Sequence, residues 1–235
     1  MKLYSYFRSS AAYRVRIALN LKGLHYELVP VHLLKNGGEQ RSEAYCRMNP
    51  TALVPTLTDG DFNLGQSMSI LEYLEETHPE TPLLPKDAHS RARIRAFCQS
   101  IACDIHPVNN LRVLQYLSQT LQIGETAKSE WYAHWVTEGF KALEALLHDS
   151  NGSYCFNDTP TLADCCLIPQ VYNAKRFNID LTAFPKIECI YTHCSTLSAF
   201  QNAAPETAGT ALDTALRKLR GVPCRARPSI RKTKL

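Results

Sequence analysis

One nine-residue stretch constrains this chain more than any other: "PETPLLPKD", Pro79 to Asp87, with prolines at 79, 82 and 85. Proline lacks the N–H that helices and strand ladders use, so this spacing reads as a stiff linker. The apolar pattern differs on its two sides. Before it, short alternating runs interleave with helical ones in the order β-α-β-α-β-β-α. After it the strand signals vanish and the helical period persists. The pattern predicts an α/β unit over residues 1–80, a linker over 81–88 and an all-helical unit over 89–212, leaving a basic, flexible tail over 213–235.

Within the first part, Lys2 to Tyr6 alternates as a short strand. "FRSSAAYRVRIALNLKG" (Phe7–Gly23) then opens a helix, with Val15, Ala18, Leu19 and Leu21 toward a core and Gly23 as its stop. "HYELVPV" is a second strand, put at an edge by Pro30. Gly37 and Gly38 make a loop before a short helix that ends at "MNP". "LVPTLTDGDFNLGQS" reads as a hairpin with Asp59-Gly60 in or beside its turn, after which Ser67 caps "MSILEYLEETH". In the second part, Ser90–Leu121 supports one long helix or two, disturbed at Pro107, and Lys128–Leu147 supports another. Thr161-x-x-Asp164 is a capping box for the helix in "TPTLADCCLIPQVYNAKRF", and a further helix follows Pro185.

Charge and cysteine usage narrow the function classes. The net charge of +4 is misleading, because the segment from Asp213 onward holds eight basic residues and one acid. The body therefore carries 18 basic and 21 acidic residues, which gives no nucleic-acid footprint. The tail's charge reads as a solvated terminus. There is no run of eighteen apolar residues to span a membrane. The nine cysteines include no CxxC pair, so neither a metal site nor a complete disulfide framework is indicated. The N-terminus runs directly into a strand without a secretory apolar stretch, which points to the cytoplasm.

Several motifs together are similar to those of the cytosolic glutathione transferases, most closely the zeta class: "YSYFRSSAAYRVRIALNLKG", "NPTALVPTL", "QSMSILEYLEE", "DTPTLADCCLIPQV" and "RFNIDLTAFP". The resemblance runs from Lys2 to about Pro205. It implies a thioredoxin-like N-terminal domain that binds glutathione, a helical domain that shapes the substrate pocket, and a homodimer. The activity it implies is glutathione-dependent cis–trans isomerisation of maleylacetoacetate to fumarylacetoacetate, in tyrosine and phenylalanine catabolism. Isomerisation of maleylpyruvate or a general transferase activity are the alternatives, and a non-catalytic glutathione-binding protein is the contrasting class. One position departs from the zeta pattern: Ala11 stands where the class usually has cysteine after its two serines.

The resemblance also assigns roles. A free thiol has a pKa of about 8.5, and a helix N-terminus favours its anion. Ser9 is the implied donor to the glutathione sulfur, with Ser10 in support. Read from the residues alone, both serines are equally plain helix caps. The tripeptide is implied to lie against Gln40, Val54 and a cis Pro55, Gln66, Ser67 and His106. Arg8 and Arg176 are the implied partners of the substrate carboxylates, since a guanidinium fork matches a carboxylate. In the implied reaction the thiolate adds to the cis double bond, the resulting single bond rotates, and the thiolate leaves. No metal is required.

Overall fold

The structure is a computed structural model and describes residues 1–150, 152–156 and 158–209. The helix expected over Thr210–Leu219 lies outside the described residues. Four short strands form one sheet in the order β2-β1-β3-β4: β1 (Lys2–Ser5), β2 (Glu27–Pro30), β3 (Thr56–Asp59) and β4 (Phe62–Gly65). β1 pairs in parallel with β2, aligning Leu3 with Leu28, and antiparallel with β3, aligning Leu3 with Leu57. Pro30 therefore sits on an edge strand, where its missing N–H costs no inner ladder bond. The β3–β4 hairpin turns at Gly60, whose φ of 57° suits glycine.

The parallel β1–β2 pair requires a crossover, and α1 (Ser10–Leu21) supplies it. This helix is buried from Ala12 through Leu19 because it packs on α3 (Ser67–Thr77) and, from the helical part, on α7 (Leu162–Arg176) and α9 (Ser198–Ala203). Burial on all sides normally demands an apolar helix, yet α1 includes Arg14 and Arg16. Each side-chain nitrogen of Arg16 finds an acceptor: Nε donates to the Ala203 carbonyl (2.8 Å), Nη1 to Ser5 Oγ (3.0 Å) and Nη2 to the Phe7 carbonyl (3.1 Å). It staples the loop ahead of α1 to α9. At the other end Gly23 takes φ 67°, and Leu21, half-buried, packs against the core.

The proline stretch is tied down at the C-terminal end of α1. Lys22 Nζ reaches Glu75 Oε2 (2.8 Å) and the carbonyls of His78 (2.9 Å) and Thr81 (2.8 Å). Glu75 in turn accepts the N–H groups of Leu83 (2.9 Å) and Leu84 (3.1 Å). The region read as one long helix or two proves to be two, α4 (Ala88–Gln99) and α5 (Leu111–Gln119). Between them run a π-helical turn over Ser100–Ile105 and then a 3₁₀ turn over Pro107–Asn109, which opens at Pro107 because that residue has no N–H to continue the ladder. α6 (Glu125–Leu146) and α8 (Pro185–Cys194) complete the layer, and α7 opens with the Thr161–Asp164 capping box. A short α2 (Glu43–Met48) follows the glycine loop.

One local expectation fails. Ser67 does not cap α3; the cap position is Gln66, with φ 64° and ψ 113°, and Ser67 is the first helical residue. Its Oγ is instead engaged by Arg14 from α1, a contact set by helix packing.

Candidate active site

The loop between β1 and α1 brings two hydroxyls to a helix mouth. Ser9 has an extended backbone, and its Oγ accepts the Ala12 N–H at 3.2 Å. A hydroxyl that accepts still has its own proton, so capping leaves Ser9 able to donate to a further acceptor. The cap and the donor are compatible roles.

Ser10 begins the helix, and its Oγ lies 2.9 Å from His106 Nδ1. Asn110 Nδ2 stands 3.3 Å from His106 Nε2. An amide NH₂ only donates, so the network assigns the lone pair to Nε2 and the proton to Nδ1, with Ser10 Oγ accepting it. Burial, then the positive charges of Arg14 and Arg112, push the His106 pKa down to about 3, in keeping with a neutral ring. Both ring nitrogens are engaged by protein groups. His106 thus bears on the site through Ser10, and the π-helical turn ahead of it sets its position.

Seven of the residues singled out from sequence line one cavity of about 350 Å³: Arg8, Ser9, Ser10, Gln40, Val54, His106 and Arg176. Arg8 comes from the loop before α1 and Arg176 from the last residue of α7, and both are exposed. Each guanidinium lies over a neighbouring ring, Arg8 at 4.9 Å from Phe7 and Arg176 at 4.8 Å from Phe177. Phe177 stacks on Tyr132 at 3.9 Å, which steadies that wall.

Pro55, Gln66 and Ser67 are not among the cavity-lining residues. Pro55 adjoins it through Val54, and the peptide bond between the two is cis. Gln66 is exposed and holds a positive φ that a non-glycine residue seldom adopts.

Sequence reasoning missed Arg41, Arg112, Gln170 and Asn173, which also line the cavity. Arg41 and Arg112 belong to no sequence motif, but Gln170 had a signal: it is a polar residue inside the apolar run "CCLIPQV". Its Oε1 is buried without a hydrogen-bond partner among the described residues, as are Gln40 Oε1, Asn109 Oδ1 and Asn173 Oδ1. Buried polar atoms are nearly always paired, so four around one cavity mark a place built for a polar ligand. A wider open groove of about 700 Å³ runs between α6 and residues 178–186. Its charged groups are spent on structure, Lys141 on Glu138 (2.7 Å) and Glu144 on the N–H groups of Lys186 (2.8 Å) and Ile187 (3.0 Å).

Known proteins resemble this chain in sequence and in fold. Residues 3–82 match the glutathione S-transferase N-terminal domain. A probable maleylacetoacetate isomerase of Vibrio cholerae is 48% identical over 204 residues, covering 87% of this chain and 95% of that protein. Among solved structures, a maleylpyruvate isomerase described as a bacterial zeta-class glutathione S-transferase is 48% identical, with a TM-score of 0.85 over 88% of this chain and 98% of its own. A maleylacetoacetate isomerase from Anaeromyxobacter dehalogenans, with glutathione bound in its active site, is 42% identical with a TM-score of 0.78 over 88% and 95%. The chain belongs to the glutathione transferase family and, within it, to the zeta class.

Proposed function

We propose that this protein is a glutathione-dependent cis–trans isomerase that converts maleylacetoacetate to fumarylacetoacetate, a step of tyrosine and phenylalanine catabolism. One observation carries the reading: a single cavity joins the helix mouth bearing Ser9 and Ser10 to the guanidinium groups of Arg8 and Arg176.

The residues suit the tripeptide. Gln40 Oε1 and Gln170 Oε1 are buried, unpartnered acceptors for its N–H groups. Val54, ahead of cis Pro55, offers backbone groups to the cysteinyl part, and Ser67 with the first turn of α3 offers donors to the γ-glutamyl carboxylate. Glutathione, when bound, supplies the thiolate that adds to and later leaves the substrate's double bond. Ser9 directs its free hydroxyl proton at the sulfur position, and the α1 N-terminus adds its positive dipole end, so the anion is favoured. Ser10, tied to His106, keeps the second hydroxyl in place. Arg8 and Arg176 hold the substrate carboxylates from different elements, leaving the bond between them free to turn. With Ala11 at the third motif position, no protein thiol takes part there.

Incubating the enzyme with maleylacetoacetate and with maleylpyruvate, with and without glutathione, tests the reading spectroscopically. Isomerisation that requires glutathione is expected. Its absence on both substrates, together with no affinity for glutathione, overturns the assignment in favour of a non-catalytic homologue. Maleylpyruvate is the second reading, favoured by the 48% identity and close superposition with a maleylpyruvate isomerase, and the ratio of kcat/KM values decides between the two. A homodimer and a cytoplasmic location belong to the same proposal. The eight described cysteines are free thiols, as suits a reducing compartment, and no helix among the described residues is long and apolar enough to cross a membrane. Sedimentation equilibrium at twice the chain mass checks the dimer.

A further inference from the structure

Arg14 and Arg16 lie two residues apart on α1 and are equally buried, each 1% exposed, yet they are used differently. Every side-chain nitrogen of Arg16 donates to an oxygen. Arg14 makes one such bond, Nη1 to Ser67 Oγ at 3.2 Å, while its Nε and Nη2 are buried with no hydrogen-bond partner among the described residues. Among the described residues no carboxylate lies within ion-pair distance of it. A buried guanidinium with neither a counter-ion nor a full set of acceptors is costly, and packing alone would be served as well by an apolar side chain of similar volume.

Its surroundings indicate what the charge is for. Arg14 follows Ser10 by four residues and so stands one turn below it on the same face of α1. Across the interface it touches Ser67, the first residue of the 11-residue helix α3. Two helix N-termini, each a positive dipole end, thus converge above one uncancelled positive charge. The charge is also felt next door: burial first, and then the Arg14 charge, oppose protonation of His106 in the segment after α4. The bond to Ser67 also has a direction. Arginine can only donate, so Ser67 Oγ accepts, and the Ser67 hydroxyl proton is left for another acceptor.

We propose that Arg14 is a positioning residue for the carboxylate end of the bound tripeptide: by donating to Ser67 Oγ it commits the Ser67 proton to the ligand, and its unpaired charge beneath α1 and α3 makes that corner selective for anions. The proposal rests on the glutathione reading above and extends it to a residue that never reaches the cavity wall.

Calorimetric titration with two ligands tests it: glutathione, and glutathione whose γ-glutamyl α-carboxylate has been converted to the amide. Arg14→Met should raise the Kd for glutathione about ten- to hundredfold and leave that for the amide unchanged, because only the first ligand brings the charge that Arg14 serves. Arg14→Lys, which restores a buried cation and a donor, should recover much of the loss. In the Arg14→Met/Ser67→Ala double variant the two losses should fall well short of multiplying, as expected of residues acting through one contact. Equal weakening of both ligands, or no weakening of either, overturns the proposal. Should Arg14→Met not be recovered folded, Arg14→Gln keeps an N–H donor, removes the charge and carries the same comparison. Failure of the wild-type protein to bind either ligand overturns the glutathione reading and this proposal together, an outcome distinct from selective or equal weakening.

Discussion

Replacing Ser9 separates its two roles quantitatively. As the cap of α1 it accepts one N–H at the long distance of 3.2 Å, and loss of a serine cap costs about 1 kcal/mol. For a chain of this length that is roughly 2–4 °C in Tm. As donor to a thiolate it would contribute more, since hydrogen bonds to charged groups are worth about 1.5–3 kcal/mol. At about 1.4 kcal/mol per pKa unit, its removal raises the bound thiol pKa by about one to two units. Ser9→Ala should therefore move the acid limb of the kcat/KM profile up by that amount, cutting the rate near pH 7 by about tenfold or more and closing the deficit at alkaline pH. Ser9→Gly provides the control. Glycine is a tolerated cap that costs only a few tenths of a kcal/mol, so it should reproduce the kinetic shift with little change in Tm. The ultraviolet absorbance of bound thiolate, followed against pH, measures the same pKa without turnover. If both variants leave the acid limb and the thiolate titration where they were, Ser9 is a helix cap and nothing more.

Arg8→Met and Arg176→Met, on exposed side chains at the cavity, should each raise KM for the dicarboxylate substrate about tenfold with kcat nearly preserved; an unchanged KM removes that residue from the substrate site. Lys22→Met strands Glu75 beneath the proline stretch and should destabilise by about 3–5 kcal/mol, read from urea unfolding, with Lys22→Met/Glu75→Leu recovering part of the loss. The neutral His106 makes stability depend on pH. Its pKa of about 3 in the fold lies below the ordinary value near 6.5, so the unfolded chain binds the extra proton between those limits. Stability from this source is complete above about pH 6.5 and is lost as pH falls toward 3, by on the order of a few kcal/mol; His106→Asn should flatten the fall of Tm with acidification in that window.

How far the fold was legible follows from the range of the forces involved. The hairpin turn that Asp59 leads into at Gly60, the Gly23 stop, the edge position of Pro30 and the Thr161–Asp164 box all depend on residues within a few positions of one another, and each is found where the pattern puts it. The cap of α3 was misread because Ser67 is claimed by Arg14, a partner 53 positions away. The break before α5 was expected at Pro107, but the π-helical turn that aims His106 at Ser10 forms over the preceding residues, where a contact spanning 96 positions is made.

The same division runs through the site. Local chemistry alone placed hydroxyls at the head of α1, a glycine loop ahead of Gln40 and a hairpin after Val54, and family resemblance attached roles to them. Only the packed structure set Arg176 in the same cavity as Arg8, made His106 a neutral support for Ser10, and buried Arg14 with no counter-ion among the described residues. Backbone propensity is settled over a few residues, whereas the charge state and reach of a side chain depend on which distant elements exclude water around it.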